Sequence, residues 1–166
     1  MYNFCPFCGS KLQEISPVSY KCSGCSKEIY LNAKPTATII PIYKNEMMVS
    51  VRAIEPEKGK YDFIGGFLDY GEDPLDGAVR ETKEETGLDI KKSDLHFLGI
   101  WIDTYKFQEQ TLYTFNVIYT VKFTEKITPK GRDDVAELFW RPIEIDRNFA
   151  FKWMRDGVEE LKKRGF

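Results

Sequence analysis

Apolar positions in this chain fall into blocks with two periods. Thr36–Tyr43 (TATIIPIY) and Met47–Ala53 (MMVSVRA) are β-branched and apolar, which predicts two strands joined by a turn at Lys44-Asn45-Glu46. Ile54–Lys60 is polar, with Pro56 and Gly59, and predicts a loop. Tyr61–Leu68 contains Gly65-Gly66, where the backbone can take unusual angles or approach a ligand. Leu75, Ala78, Val79 and Thr82 then switch to the spacing of a helix with one buried face. Asp73 suits its N-cap, Pro74 its first turn and Gly87 its stop, so a helix of about 13 residues is predicted over Pro74–Thr86. Leu95–Phe107 and Thr111–Phe123 predict a pair of long strands. Thr124–Asp134 predicts a loop and Glu137–Arg141 a short strand. Phe151, Met154, Val158 and Leu161 mark the apolar face of a last helix, with Lys162-Lys163-Arg164 suiting its C-terminal dipole.

The first 33 residues are different. They offer almost nothing for a core, yet they hold all four cysteines as Cys5-x2-Cys8 and Cys22-x2-Cys25. Two thiolate pairs on tight turns make a tetrahedral set for structural Zn²⁺. A rubredoxin-like iron site is the alternative, since iron also accepts four thiolates. Gly9 and Gly24 are expected to permit the two turns. The domain boundary is therefore expected near Ala33, with residues 1–33 as a zinc ribbon and 34–166 as the larger domain.

Composition narrows the function classes. A net charge of −2 supplies no general field for nucleic acid, and residues 1–34 carry four Lys and no Arg. Nucleic acid is not the expected partner. No apolar run approaches the roughly 20 residues of a membrane span, and no secretory leader is visible at the N-terminus, so a cytoplasmic protein without membrane partners is expected. His96 is the only histidine, which leaves no Ser-His or Cys-His nucleophile arrangement.

The chemistry lies in Arg80-Glu81-Thr82-Lys83-Glu84-Glu85-Thr86-Gly87. Glu81, Glu84 and Glu85 share one side of the helix, expected roughly opposite the Leu75/Ala78/Val79/Thr82 face. Three carboxylates there make either a solvated acidic face or a site for divalent cations, and their spacing alone leaves both open. The flanks resemble the Nudix superfamily signature, G-x5-E-x7-R-E-U-x-E-E-x-G-U with U a bulky aliphatic. Gly66, Glu72, Arg80, Glu81, Glu84, Glu85, Gly87 and Leu88 all match, and only Thr82 departs from it.

The resemblance implies an α/β/α sandwich with a mixed sheet and a Mg²⁺- or Mn²⁺-dependent phosphoanhydride hydrolase. It implies Glu84 and Glu85 as main metal ligands and Glu81 completing the cluster or orienting water. The Gly65 carbonyl would be a further ligand, and Glu72–Arg80 a structural ion pair. It suggests one more carboxylate from a later loop, with Asp134 favoured over Asp133 and Glu137. Homodimerisation is plausible from the family.

A ribbon ahead of such a domain resembles two groups. The NADH pyrophosphatases carry an S-Q-P-W-P-F-P stretch that this chain lacks. Short zinc-ribbon proteins acting on FAD or ADP-ribose end in an A-F pair, similar to Asn148-Phe149-Ala150-Phe151 here. The expected substrate is thus a small dinucleotide or nucleotide-sugar such as FAD, ADP-ribose or NADH. Arg52 is a candidate phosphate contact, and Phe63 and Tyr105 are candidate stacking residues. The competing reading is a non-catalytic nucleotide sensor or a zinc-ribbon nucleic-acid module, against which the intact acidic residues count.

Overall fold

The computed structural model describes residues 2–127 and 129–166, which form two compact units, Met1–Ala33 and Lys34–Phe166. The smaller unit holds β1 (Leu12–Ser16), β2 (Ser19–Cys22) and β3 (Glu28–Tyr30) in one antiparallel sheet, order β1-β2-β3. Its two cysteine pairs sit on matching turns. Gly9 N–H donates to Cys5 O at 2.9 Å and Ser26 N–H to Cys22 O at 3.1 Å. The left-handed residue is Gly9 (φ 74°) in the first turn but Ser26 (φ 59°) in the second. Gly24 is needed for a different reason than expected: a Cβ there would meet Ser10 Oγ at 2.3 Å.

The larger unit is a seven-stranded mixed sheet with one helix on each face. Its strands are β4 (Lys34–Tyr43), β5 (Glu46–Arg52), β6 (Tyr61–Asp62), β7 (Ile64–Phe67), β8 (Leu95–Phe107), β9 (Gln110–Lys122) and β10 (Val135–Pro142). The main order is β10-β5-β4-β9-β8, with β6 beside β5 and β7 beside β4. Among the described strands only β4 and β9 pair with each other in parallel. The predicted Tyr61–Leu68 segment is thus two short strands, because the chain passes from β5 to β4 at Phe63.

Alternate residues of β4 and β5 point into two separate cores. Ile40, Ile42, Met47 and Val49 face α2 (Lys152–Lys163) with its Trp153, Met154, Val158 and Leu161. Ala37, Ile39 and Met48 face α1 (Pro74–Thr86) through Ala78. A sheet covered on both faces accounts for the nearly unbroken apolar run TATIIPIY. The first turn of α2 is held from across the fold, where Asp103 Oδ2 on β8 accepts the Trp153 N–H at 3.0 Å.

Candidate active site

A cleft opens where β4, β5, β7, β8 and β9 meet the last turn of α1; its empty space, open mouth included, is about 740 Å³. Its floor is made of buried Thr36, Thr38, Ser50, Thr114 and Asn116. Asn116 is saturated there, accepting from Thr36 Oγ1 at 2.9 Å and donating to Trp101 O and Thr114 Oγ1, both at 3.0 Å. The walls carry Arg52, Asp62, Glu85, Tyr105, Asp134 and Phe151.

Helix α1 presents the acidic residues. Asp73 caps it by accepting the Leu75 N–H at 2.8 Å, and Gly87 closes it in the left-handed conformation. Glu85 does not lie opposite the apolar face as expected. Three residues beyond Thr82 is 300° of helical rotation at 100° per residue, which returns Glu85 to within about 60° of it. Glu85 is consequently only 7% exposed, points into the cleft and accepts the Gly65 N–H at 3.0 Å. Burial pushes its carboxyl up to about 9, with Asp62, Glu81 and Asp134 adding repulsion.

Glu81 and Glu84 are differently engaged. Arg80 Nη1 donates to Glu81 Oε1 at 2.8 Å and Glu84 Oε2 at 3.0 Å. The same guanidinium grips Glu72 with two 2.8 Å bonds and reaches Phe67 O at 3.1 Å. Those bonds hold the Glu72 carboxyl down to about 2. Glu81 is half-buried beneath Gly66, whose missing Cβ leaves the space its carboxylate takes. Glu84 is solvent-exposed. The three helix carboxylates are therefore adjacent but not closed on one point, with Arg80 standing between two of them.

Loop and strand residues complete the walls. Arg132 N–H donates to Glu85 O and Asp134 O accepts from Ala53 N–H, which brings Asp134 into the cleft. Burial, then Asp133, raise the Asp134 carboxyl above its usual range. Arg52 ion-pairs with Asp62, donates Nε–H to Pro56 O at 2.7 Å and lies over the Phe151 ring at 5.1 Å. Phe63 is not an open stacking face. It is 2% exposed and packs on Phe149 and Trp153 at 5.5 and 5.9 Å, as core. Tyr105 does reach the cleft, between Phe67 at 5.5 Å and Phe151 at 5.7 Å. His96 is exposed on β8.

Sequence reasoning missed Asp62 and Phe151 as cleft residues. Asp62 pairs in register with Ser50, two residues from Arg52, so its opposite charge is a signal only once the β5–β6 register is known.

In the smaller unit, the ligand atoms of Cys5, Cys8, Cys22 and Cys25 lie within 4.8 Å of one another. Cys5–Cys25 and Cys8–Cys22 sulfurs are 3.7 and 3.4 Å apart. A tetrahedral ion at about 2.3 Å from each sulfur requires separations near 3.8 Å, so the set suits zinc. Backbone and side-chain hydrogen bonds from Ser10 bring the Cys8 thiol down to about 6, toward the thiolate a metal requires. Among the described residues this is the one His/Cys/Asp/Glu group so tightly gathered.

The NUDIX domain pattern matches residues 33–159. The NAD-capped RNA hydrolase NudC of Vibrio atlanticus is 30% identical over 97 residues, covering 58% of this chain and 35% of that protein. The NAD-capped RNA hydrolase of Schizosaccharomyces pombe is 31% identical over 108 residues, 55% of this chain and 28% of its own. The chain thus spans about a third of the length of the curated relatives it matches. A NUDIX hydrolase from Nitrosomonas europaea superposes over 99% of this chain and 94% of its own, with TM-score 0.72 and 23% identity. The NUDIX domain of Shewanella oneidensis NrtR, crystallised with ADP ribose, covers 81% and 90% with TM-score 0.63 and 15% identity. These identities speak for a shared fold.

Proposed function

Because this chain belongs to the NUDIX domain family, we propose that it is a divalent-metal-dependent pyrophosphohydrolase. It would cleave the phosphoanhydride of a nucleoside diphosphate linked to another moiety and release a nucleoside monophosphate. The substrate class is a dinucleotide or nucleotide-sugar, with FAD, ADP-ribose and NADH as the members to try first.

The observation that carries this reading is Glu85, a carboxylate 7% exposed at the wall of an open cleft and facing two further acids, Asp62 and Asp134. Buried like charges are costly unless a cation compensates them, and hard divalent ions take carboxylate oxygens. Glu84 and Glu85 would be the main ligands, with Glu81 and the Gly65 carbonyl beside them. Bound there, such ions would neutralise the anhydride oxygens and lower the pKa of an attacking water. Glu81 or Asp134 would accept the proton of that water. Arg80 would keep the loop from Phe67 to Glu72 against α1, and its Nη1 would release Glu81 and Glu84 to the ion. Tyr105, Phe67 and Phe151 would stack on a base or flavin. The four cysteines would hold structural Zn²⁺ in a closed site.

The test is a panel of FAD, ADP-ribose, NADH, diadenosine polyphosphates and nucleoside triphosphates with Mg²⁺ or Mn²⁺, read as nucleoside monophosphate released. Turnover that needs the ion and is lost in both Glu84→Gln and Glu85→Gln supports the reading. Undiminished turnover in both variants overturns it.

A further inference from the structure

Arg52 is the only cation among the described residues that line the cleft, and everything else charged there is acidic. An anhydride substrate brings negative charge on both of its phosphates. A metal on the Glu85 side can neutralise one flank, and the other flank needs a fixed donor. Arg52 is fixed unusually well. Its Nη1 meets Asp62 Oδ2, its Nε–H goes to Pro56 O, and its plane lies over Phe151. Asp62 is itself anchored, since its Oδ1 accepts the Phe63 N–H at 2.8 Å. The remaining terminal nitrogen, Nη2, is not among the buried, unpaired donors, and the Tyr105 side chain on the cleft wall adjoins the guanidinium within hydrogen-bonding reach.

A buried ion pair is a weak source of stability, because desolvation offsets its attraction. What such a pair does supply is direction. A guanidinium held at two nitrogens and one face points its last N–H donors one way, which suits bidentate or fork-like contact with phosphate oxygens. Resting on the pyrophosphohydrolase reading above, we propose that Arg52 binds a phosphate of the substrate, and that Asp62 is the positioning residue that aims it.

Binding of α,β-methylene-ADP to the intact protein in the presence of Ca²⁺, measured by calorimetry, tests this without turnover. Arg52→Ala should weaken binding about tenfold, the scale of one charge-assisted contact. Asp62→Asn should weaken it several-fold in the wild-type background and less than twofold in Arg52→Ala. Guanidinium at sub-denaturing concentration should restore binding to Arg52→Ala but not to the Arg52→Ala/Asp62→Asn double variant. Arg52→Lys, which keeps the charge and loses the fork, should keep the melting temperature and lose affinity, and it stands as the deciding variant should Asp62→Asn not fold. Equal losses for Asp62→Asn in both backgrounds, rescue independent of Asp62, or full affinity in Arg52→Lys would overturn the proposal. If the wild type binds Mn²⁺ but not the analogue, the diphosphate reading fails along with it. An additive cycle on a binding-competent wild type overturns this proposal and leaves the pyrophosphohydrolase reading standing.

Discussion

Gly65 and Glu85, twenty residues apart, are joined by one hydrogen bond of 3.0 Å, from the backbone N–H of β7 to a carboxylate oxygen of α1. It sets the acidic end of the helix against the strand that opens the signature, and among the described residues it is the single hydrogen bond to a carboxylate otherwise surrounded by acids. Several consequences can be measured.

The first concerns pH. Burial raises the Glu85 carboxyl from the ordinary 4.5 to about 9. Between those values the folded protein holds a proton that the unfolded chain has released. Without divalent ions, the stability contributed by this one group is therefore fully present below pH 4.5 and lost as pH rises through about 9. Glu85→Gln should flatten that decline in thermal melts run with a chelator, while activity with Mg²⁺ drops on the order of 100-fold or more, the scale of losing one charge-stabilising group. A melting temperature that rises with pH across this window would contradict the assignment.

Glu72 has the opposite sign. Arg80 holds its carboxyl down to about 2 from 4.5, so the pair contributes stability above pH 4.5 that is lost as pH falls through about 2. Glu72→Gln should cost about 1 kcal/mol at pH 7, the value of a partly exposed pair with good bidentate geometry. Chemical denaturation at a series of pH values should show the variant and the wild type converging below pH 4.5.

The two glycines of the loop should fail in different ways. A Cβ on Gly65 would meet Ala37 O at 2.3 Å and Thr38 Cα at 2.6 Å, and its φ is 148°. Both are backbone atoms of the neighbouring strand β4, which cannot swing away, so Gly65→Ala should cost more than about 2 kcal/mol and lower the expression of folded protein. On Gly66 the Cβ would meet the Glu81 carboxylate at 2.6 Å. A side chain can swing away, so Gly66→Ala should keep most of its melting temperature and lose activity. Equal melting temperatures for the two variants would refute this contrast.

The cysteine unit should carry one metal ion per chain. Native mass spectrometry is expected to show one zinc, and Cys8→Ser to remove it. A red protein carrying one iron, with no zinc, would move the site to the rubredoxin type.

The acidic motif, the helix that bears it and the cysteine pairs were legible because each is local. Caps at Asp73 and Gly87, and the i, i+3, i+4 spacing of Glu81, Glu84 and Glu85, need no partner from elsewhere in the chain. The prediction that these acids lie opposite the apolar face went wrong by treating them as one group. Helical rotation brings Glu85 back beside Thr82, whose buried hydroxyl donates to Ala78 O at 2.6 Å and fills the aliphatic position of the signature. Phe63 and Phe151 exchange their expected roles for a similar reason. Both rings line the cleft, but only the packing of α2 shows that Phe63 is buried in the core beneath it while Phe151 stays partly exposed at its wall.

Sequence alone determined which residue types could hold a metal, which segment would be a helix and where the cysteine unit ends. Spacing along the backbone dictates those, and it is written in the order of residues. Tertiary structure decided which carboxylate is buried, which arginine faces Asp62 across two short strands, and which aromatic ring borders the cleft. Those depend on strand register and on which sheet face each helix covers, and contacts between distant segments are settled only when the whole chain packs.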